Sequence, residues 1–363
     1  VPLRRLEDRQ QVKEAAGRGM AVVAMAADDD YSMQLAAAAR SLINNLGPGR
    51  GLLLFVVSSG VAGPNREKIL KSWETPKDVA VSWVEIDPAS LGGMNVSGHV
   101  SAATYSRVFI PRLLPPFVNK AIYLDSDLLV LRDISGLWDK SMEGVYALAA
   151  RDIMTPYFCS REALKDRPRC LPYLFADVPV KDYRELGIPG TAKYFNAGVM
   201  VMDLDKWRSD RIGEAALDYL EKNKGELRYW DQDGLNAVLA GKWGELDPRW
   251  NQLAHIYRFP SWKESPLDRD TFDKLLNDPY IIHFASRSKP WYHDNCHPAR
   301  SLYFRCLDMT EWKGWRPEFT LWGAFRKLVY SLKPLRMAGI RLKAFIKWIL
   351  FVKLDLYWKF RRG

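Results

Sequence analysis

Cysteine is scarce in this chain: four residues in 363, Cys159, Cys170, Cys296 and Cys306, with no CxxC pair. Reduced thiols in a reducing, cytoplasmic compartment are therefore expected. An apolar leader is also missing from the first residues, where Arg4, Arg5, Glu7, Asp8 and Arg9 cluster, so no secretory leader is expected within the chain. Long apolar runs are absent at the other end, where the longest uncharged stretch after Pro334 is Trp348–Val352. A bilayer span needs roughly 20 apolar residues. No GxGxxG or Walker loop occurs, so any bound phosphates would need cations to neutralise them. There is no internal repeat.

Acid is nearly missing from Leu321–Gly363, which holds eleven Lys/Arg against the single Asp355. That segment alone accounts for the net charge of +10, so the rest of the chain is close to neutral. A nucleic-acid enzyme would more often spread its basic residues over the fold. A tail both basic and rich in Trp, Phe, Leu and Ile points instead to an anionic membrane surface, on which broken helices would lie without crossing it. Gly323, Pro334 and Gly339 are the expected break points. The expected placement is peripheral, on the inner face of the membrane, with no nucleic-acid partner. The bulk composition, 48% hydrophobic and 26% charged, is ordinary for a globular chain.

Residues 1–18 read as a charged lead-in with a short helix. Met20–Ala27, Leu52–Val57 and Val79–Ile86 are apolar runs of the kind buried in parallel sheets, separated by helical patterns at Ser32–Asn45 and Asn65–Trp73. This alternation predicts right-handed βαβ units and an open, mostly parallel α/β sheet. Further strands are expected at Ala121–Leu124, Val145–Ala150, Gly198–Met202 and Ile281–Phe284, with helices at Ala102–Leu114, within Asp203–Lys222 and at Asp231–Ala240. Residues 152–192 read as a long, partly helical excursion over the active face. The division expected is a lead-in to residue 18, one catalytic domain over 19–320, and the tail from 321.

The strongest chemical signal is Asp125-Ser126-Asp127, just past an apolar strand, where open α/β sheets place ligands. Alternate residues of an extended segment point the same way, so both carboxylates would reach one hard cation, Mn²⁺ or Mg²⁺. By itself the pattern reads equally well as a solvated turn. Asp28-Asp29-Asp30 follows the first strand at the same sheet end, and reads either as a helix cap or as a ribose and base contact. His283 ends a late apolar strand; it is a core histidine or the third ligand of a manganese site. Lys289 is a surface lysine or a cation for a departing diphosphate.

In this order the segments AADDDY (Ala26–Tyr31), TYSRVFIPRLLP (Thr104–Pro115), AIYLDSDLLVLRDISGLWD (Ala121–Asp139), YFNAGVMVMDLDKWR (Tyr194–Arg208), YWDQDGLNAVLAGK (Tyr229–Lys242), LDPRWNQ (Leu246–Gln252) and HFASRSKPW (His283–Trp291) resemble glycosyltransferase family 8, most of all its bacterial lipopolysaccharide galactosyl- and glucosyltransferases. The resemblance implies a single Rossmann-like nucleotide-diphosphosugar (GT-A) domain. It implies a retaining, Mn²⁺-dependent transfer of galactose or glucose from a UDP-sugar to a saccharide or lipid-linked acceptor. By the same resemblance Asp125, Asp127 and His283 hold the metal, and Asp28 and Asp30 meet the uridine. Arg107 and Asp152 meet the donor sugar or diphosphate, Asn196 and Ala197 meet the sugar, Asp231 and Gln232 form the sugar-binding and reaction-centre pair, and Lys289 binds diphosphate. Ser286 and Arg287 stand where the family often has glycine, and the Ser286 N–H is expected to donate there.

An amide is a poor nucleophile, so Gln232 argues against a covalent intermediate and for front-face attack, in which the departing UDP oxygen takes the acceptor's proton. Asp-x-Asp also opens haloacid-dehalogenase-like phosphatases, but those carry Thr or Val where this chain has Leu129. A self-glycosylating primer enzyme and an inactive sugar-nucleotide binding protein are the remaining alternatives.

Overall fold

A computed structural model describes residues 3–86, 102–319, 321, 324, 328 and 332–349. The apolar runs form the centre of an eight-stranded sheet. Its strands are β1 (Arg4–Leu6), β2 (Ala21–Ala27), β3 (Leu52–Ser58), β4 (Val79–Glu85), β5 (Lys120–Leu124), β7 (Ala147–Arg151), β8 (Phe195–Asp203) and β9 (Trp243–Glu245), in the order β1-β4-β3-β2-β5-β8-β7-β9. All pairings are parallel except those of β8, which runs against β5 and β7. A second sheet has three strands, β6 (Leu128–Val130), β10 (Gln252–Leu253) and β11 (Ile281–His283), in the order β10-β11-β6.

The period of two in β2 sorts its side chains between two cores. Val22, Ala24 and Ala26 join one face with Phe55, Tyr123 and Trp207; Val23, Met25 and Ala27 join the other with Leu35, Leu42 and Leu54. Every residue of β2 and β3 is buried, which explains runs without polar alternation. Burial of each large aliphatic side chain contributes about 1.5–3 kcal/mol relative to exposure. The helix expected over Ser32–Asn45 has those limits in the structure.

Several elements depart from expectation. The charged lead-in holds the expected short helix, at Arg9–Gly17 and capped by Asp8, but also adds edge strand β1, parallel to β4. Arg4 and Arg5 suit an edge strand, where charge is tolerated, and Arg4 pairs with Asp78 at 2.7 Å. The late strand β11 lies in the second sheet, antiparallel to β6. The excursion holds a single helical turn at Ser160–Ala163 and a 3₁₀ segment at Pro168–Tyr173.

In the tail, Lys333–Trp348 is one helix. Pro334 sits in its first turn, where the missing N–H costs nothing, and Gly339 does not interrupt it. Its Ile340 and Ala344 lie against the cluster built by Ile153, Met154, Tyr173 and Leu174. Leu342, Phe345 and Ile346 face outward beside the exposed Arg341 and Lys343. Trp322, Phe325 and residues 350–363 lie outside the described residues, including the end of the Trp348–Val352 stretch. Among the described residues no helix is long and apolar enough to cross a membrane.

Candidate active site

The Asp125–Asp127 turn is the hinge between the two sheets. The Asp125 N–H donates to Gly198 O on β8 at 2.9 Å, a backbone tie to the large sheet. Two residues on, Phe284 N–H donates to Asp127 O at 2.9 Å, tying the chain to the end of β11. Between them Ser126 Oγ donates to Ala26 O at the end of β2 (2.6 Å). The pairing of β6 with β11 sets His283 opposite Leu128, and so beside both carboxylates.

His283 Nε2 lies 3.1 Å from Asp127 Oδ1 and 3.5 Å from Asp125 Oδ2, and ligand atoms of all three residues lie within 4.8 Å of one another. A row of amides settles which ring nitrogen carries hydrogen. Gly198 N–H donates to Asn196 Oδ1 (3.1 Å), and Asn196 Nδ2 donates to Asp152 Oδ2 (3.0 Å). Asn251 Nδ2 also donates to Asn196 Oδ1 (2.9 Å), which leaves Asn251 Oδ1 facing His283 Nδ1 at 2.9 Å. An amide oxygen only accepts, so Nδ1 bears a hydrogen and Nε2 is the ring nitrogen aimed at the two acids, the one that a metal would take. Two carboxylates and an imidazole nitrogen then converge on one point, a donor set that suits a divalent ion bound by oxygen and imidazole. Gly198 belongs to the same cradle: a Cβ there would stand 2.7 Å from Asp125 Oδ2 and intrude on the His283 ring.

Charged neighbours surround this point. Arg107, itself buried, lies 3.0 Å from Asp125 Oδ1 through NH2 and 2.8 Å from Asp231 Oδ2 through Nε, with its guanidinium 5.0 Å from the Tyr123 ring centre. Burial opposes its charge, but Asp125 and Asp231 hold it above its ordinary value. Burial pushes the Asp231 carboxyl up to about 6, more than Arg107 pulls it down. Asp127 is also buried, yet Lys289 and His283 hold its carboxyl well below the usual range. Lys289 Nζ bonds to Asp127 and donates to Phe284 O at 2.8 Å.

Gln232 is the second residue of a helix (Asp231–Leu239) and is locked in place. Its Oε1 accepts from Ala197 N–H (3.1 Å) and its Nε2 donates to Asp152 Oδ2 (3.3 Å). Asp152 also accepts from the N–H groups of Met154 and Thr155 (2.8 and 3.2 Å). These groups face a cavity of about 1260 Å³ lined by Arg107, Asp125, Asp127, Asp152, Asn196, Asp231, Gln232, His283, Ser286 and Lys289 among others.

Three of the residues singled out in the sequence do not line it. Asp28 accepts from Tyr31 N–H as a cap (3.1 Å), Asp30 is exposed, and Ala197 contributes its N–H to Gln232. The Ser286 N–H, expected to face diphosphate, donates to Phe284 O at 2.8 Å. Asn251, Gly198, Tyr194 and His255 were not singled out. Asn251 falls inside the quoted LDPRWNQ segment, but nothing local marks it as the partner of a histidine 32 positions away. His255 lines the cavity beside Phe175, and burial, then Arg258, pushes it down to about 3, so it is neutral.

Comparison with known proteins agrees with this geometry. Residues 22–295 match the family model of Glycosyl transferase family 8. General stress protein A of Bacillus subtilis (strain 168) is 31% identical over 289 residues, 79% of this chain and 92% of that protein. Lipopolysaccharide 1,2-glucosyltransferase of Escherichia coli (strain K12) is 27% identical over 213 residues, 59% of this chain and 56% of that protein. The crystal structure of galactosyltransferase LgtC with donor and acceptor sugar analogs has the same GT-A fold, with a TM-score of 0.63 at 21% identity over 84% of this chain and 99% of that one. With the family model spanning most of its length, the chain belongs to glycosyl transferase family 8 and is a glycosyltransferase.

Proposed function

We propose that the protein moves galactose or glucose from a UDP-sugar to a saccharide or lipid-linked acceptor, with retention at the anomeric carbon and with Mn²⁺ (or Mg²⁺) on the donor's diphosphate. The observation that carries this reading is the convergence of Asp125, Asp127 and His283 Nε2, with Lys289 alongside. A bound metal would neutralise charge on the diphosphate as the glycosidic bond breaks. Lys289, held at the rim of that cluster, would share the charge of the leaving UDP. Ser286 is proposed to line the diphosphate, and Asp28 and Asp30 to meet the uridine beyond the end of β2.

Arg107 anchors Asp231, whose carboxylate would hold sugar hydroxyls, with Asp152 and Asn196 behind it. Gln232 is fixed at both ends of its amide and cannot serve as a strong nucleophile, so it positions and polarises. That favours front-face attack, with the UDP oxygen accepting the acceptor's proton.

The test is UDP release from UDP-galactose and UDP-glucose. Release is expected to need Mn²⁺, to stop with EDTA, and to fall by at least about a thousandfold in Asp125→Ala. Full activity in EDTA would refute the metal assignment.

The tail is proposed as an anchor on anionic lipid. The outward Leu342, Phe345 and Ile346 beside Arg341 and Lys343 support this. Serine at these three apolar positions is expected to release the protein from phosphatidylserine vesicles in a flotation assay while sparing UDP release. Unchanged flotation would remove the anchor.

A further inference from the structure

Trp230 stands immediately before the Asp231–Gln232 pair, with φ 47° and ψ −120°. That is backbone space where glycine is at ease and a tryptophan is strained. The turn does not need the indole. Asp233 Oδ2 takes the N–H groups of Arg228 (2.7 Å) and Tyr229 (2.8 Å), and Asp233 Oδ1 takes the Tyr194 hydroxyl at 2.6 Å. Gln232 N–H and Asp233 N–H donate back to Tyr229 O and Trp230 O, each at 3.0 Å. The backbone is therefore pinned from both sides, and glycine would satisfy it with less strain.

The indole is 45% exposed and lines the cavity, so packing does not account for it either. Two other exposed rings share that cavity, and both have ring partners. Phe175 lies beneath the Arg258 guanidinium (4.7 Å) and against His255 (4.8 Å), while Tyr292 meets Trp291 edge to face (6.2 Å). Among the described residues the Trp230 indole makes no ring or cation contact. The next two residues inward, Asp231 and Gln232, are 3% and 8% exposed. A ring placed on Trp230 would therefore sit outward of the pair assigned to the donor sugar.

We propose that Trp230 is the stacking platform for the acceptor, and that the group it takes is a pyranose ring laid flat by its C–H face on the indole. An indole presents a broad, rigid face of negative potential, which suits the weakly positive C–H face of a sugar and restricts few rotors on binding. The inference rests on the sugar-transfer reading of the same cavity, and it assigns acceptor selection to one side chain.

The experiment separates the two. Full-length protein with Mn²⁺ and UDP is titrated with methyl β-D-galactopyranoside and methyl β-D-glucopyranoside, using saturation-transfer NMR to read which ring protons touch protein. UDP-hexose hydrolysis by water is measured in parallel, without acceptor. Trp230→Ala is expected to weaken glycoside binding about tenfold, to lose transfer to the C–H face protons, and to keep donor hydrolysis within about twofold. Trp230→Phe should recover part of the binding. Trp230→Gly should melt above Trp230→Ala, the reverse of the usual order for these residues, because the strain lies in the backbone.

No Trp230-dependent contact with either glycoside overturns the proposal. So does a Trp230→Ala variant that loses donor hydrolysis and glycoside binding together, which would put the indole in the donor site or the fold. A wild-type protein that binds glycoside on Trp230 but never hydrolyses a UDP-hexose would instead refute the reading of the donor while leaving the platform standing.

Discussion

The centre of the large sheet and the hinge where it meets the small sheet obey different rules. In β2 and β3 every side chain is buried and all but Ser58 are apolar, and the two strands pair in unbroken parallel register. At the hinge, Asp125 is tied to β8, Ser126 to β2 and Asp127 to the end of β11, so three consecutive residues answer to three different parts of the chain. The sheet centre is held by area removed from water, which tolerates modest changes of shape. The hinge is held by directional polar contacts in a confined space, which do not. Stability and chemistry therefore reside in adjacent but separable places.

Gly198 offers the sharpest way to break that separation. Gly198→Ala thrusts a methyl group between Asp125 and His283. Mn²⁺ affinity is expected to fall by more than about a hundredfold, with little change in thermal unfolding of the metal-free protein. Leu54→Ala, fully buried in β3, is the counterpart: about 3 kcal/mol of stability lost and Mn²⁺ affinity kept. Isothermal titration and urea unfolding on both variants would show whether the two properties divide this way; a Gly198→Ala protein that binds Mn²⁺ normally would contradict the cradle.

Next in size is a stability effect tied to Asp231. Burial raises its carboxyl from 3.8 to about 6. Between those values the native chain holds a proton that the unfolded chain has released, so stability falls as pH climbs through this window, and the cost persists above it. Asp231→Asn removes the slope. Relative to the native sequence it should gain about 2 kcal/mol between roughly pH 4 and pH 6.5 in metal-free urea unfolding. A pH-independent difference would mean the carboxyl is not raised.

The smallest expected effect belongs to Asn251→Leu, which removes the acceptor on His283 Nδ1. Mn²⁺ affinity should drop about tenfold, and ¹⁵N shifts of the imidazole in the metal-free protein should show a mixture of the two ring tautomers. A single unchanged tautomer would assign its control elsewhere.

The same contrast explains what could be read from the chain before its structure. Strands β2, β3 and β4 and the helix Ser32–Asn45 were legible because hydrophobic periodicity is a local property. Asp125 and Asp127 were legible because two carboxylates at a spacing of two, after an apolar run, already imply a shared direction. Edge strand β1 was not, because Arg4-Arg5-Leu6 carries no apolar pattern and pairs with residues more than 70 positions away. The second sheet was missed for a related reason: β11 was expected as a strand, but its partners β6 and β10 have three and two residues, too few to show a period. His283 and Lys289 gained their roles from the family resemblance, whereas Asn251 and Trp230 acquire meaning only once distant segments meet.

The row of side-chain amides behind His283 has one more consequence. Asn196 and Asn251 neither gain nor lose protons in water, so they transmit orientation without transmitting charge. On the Nδ1 side the acid at the end of the row, Asp152, is kept two amides away. The ring thus keeps its orientation without a further charge being placed behind it.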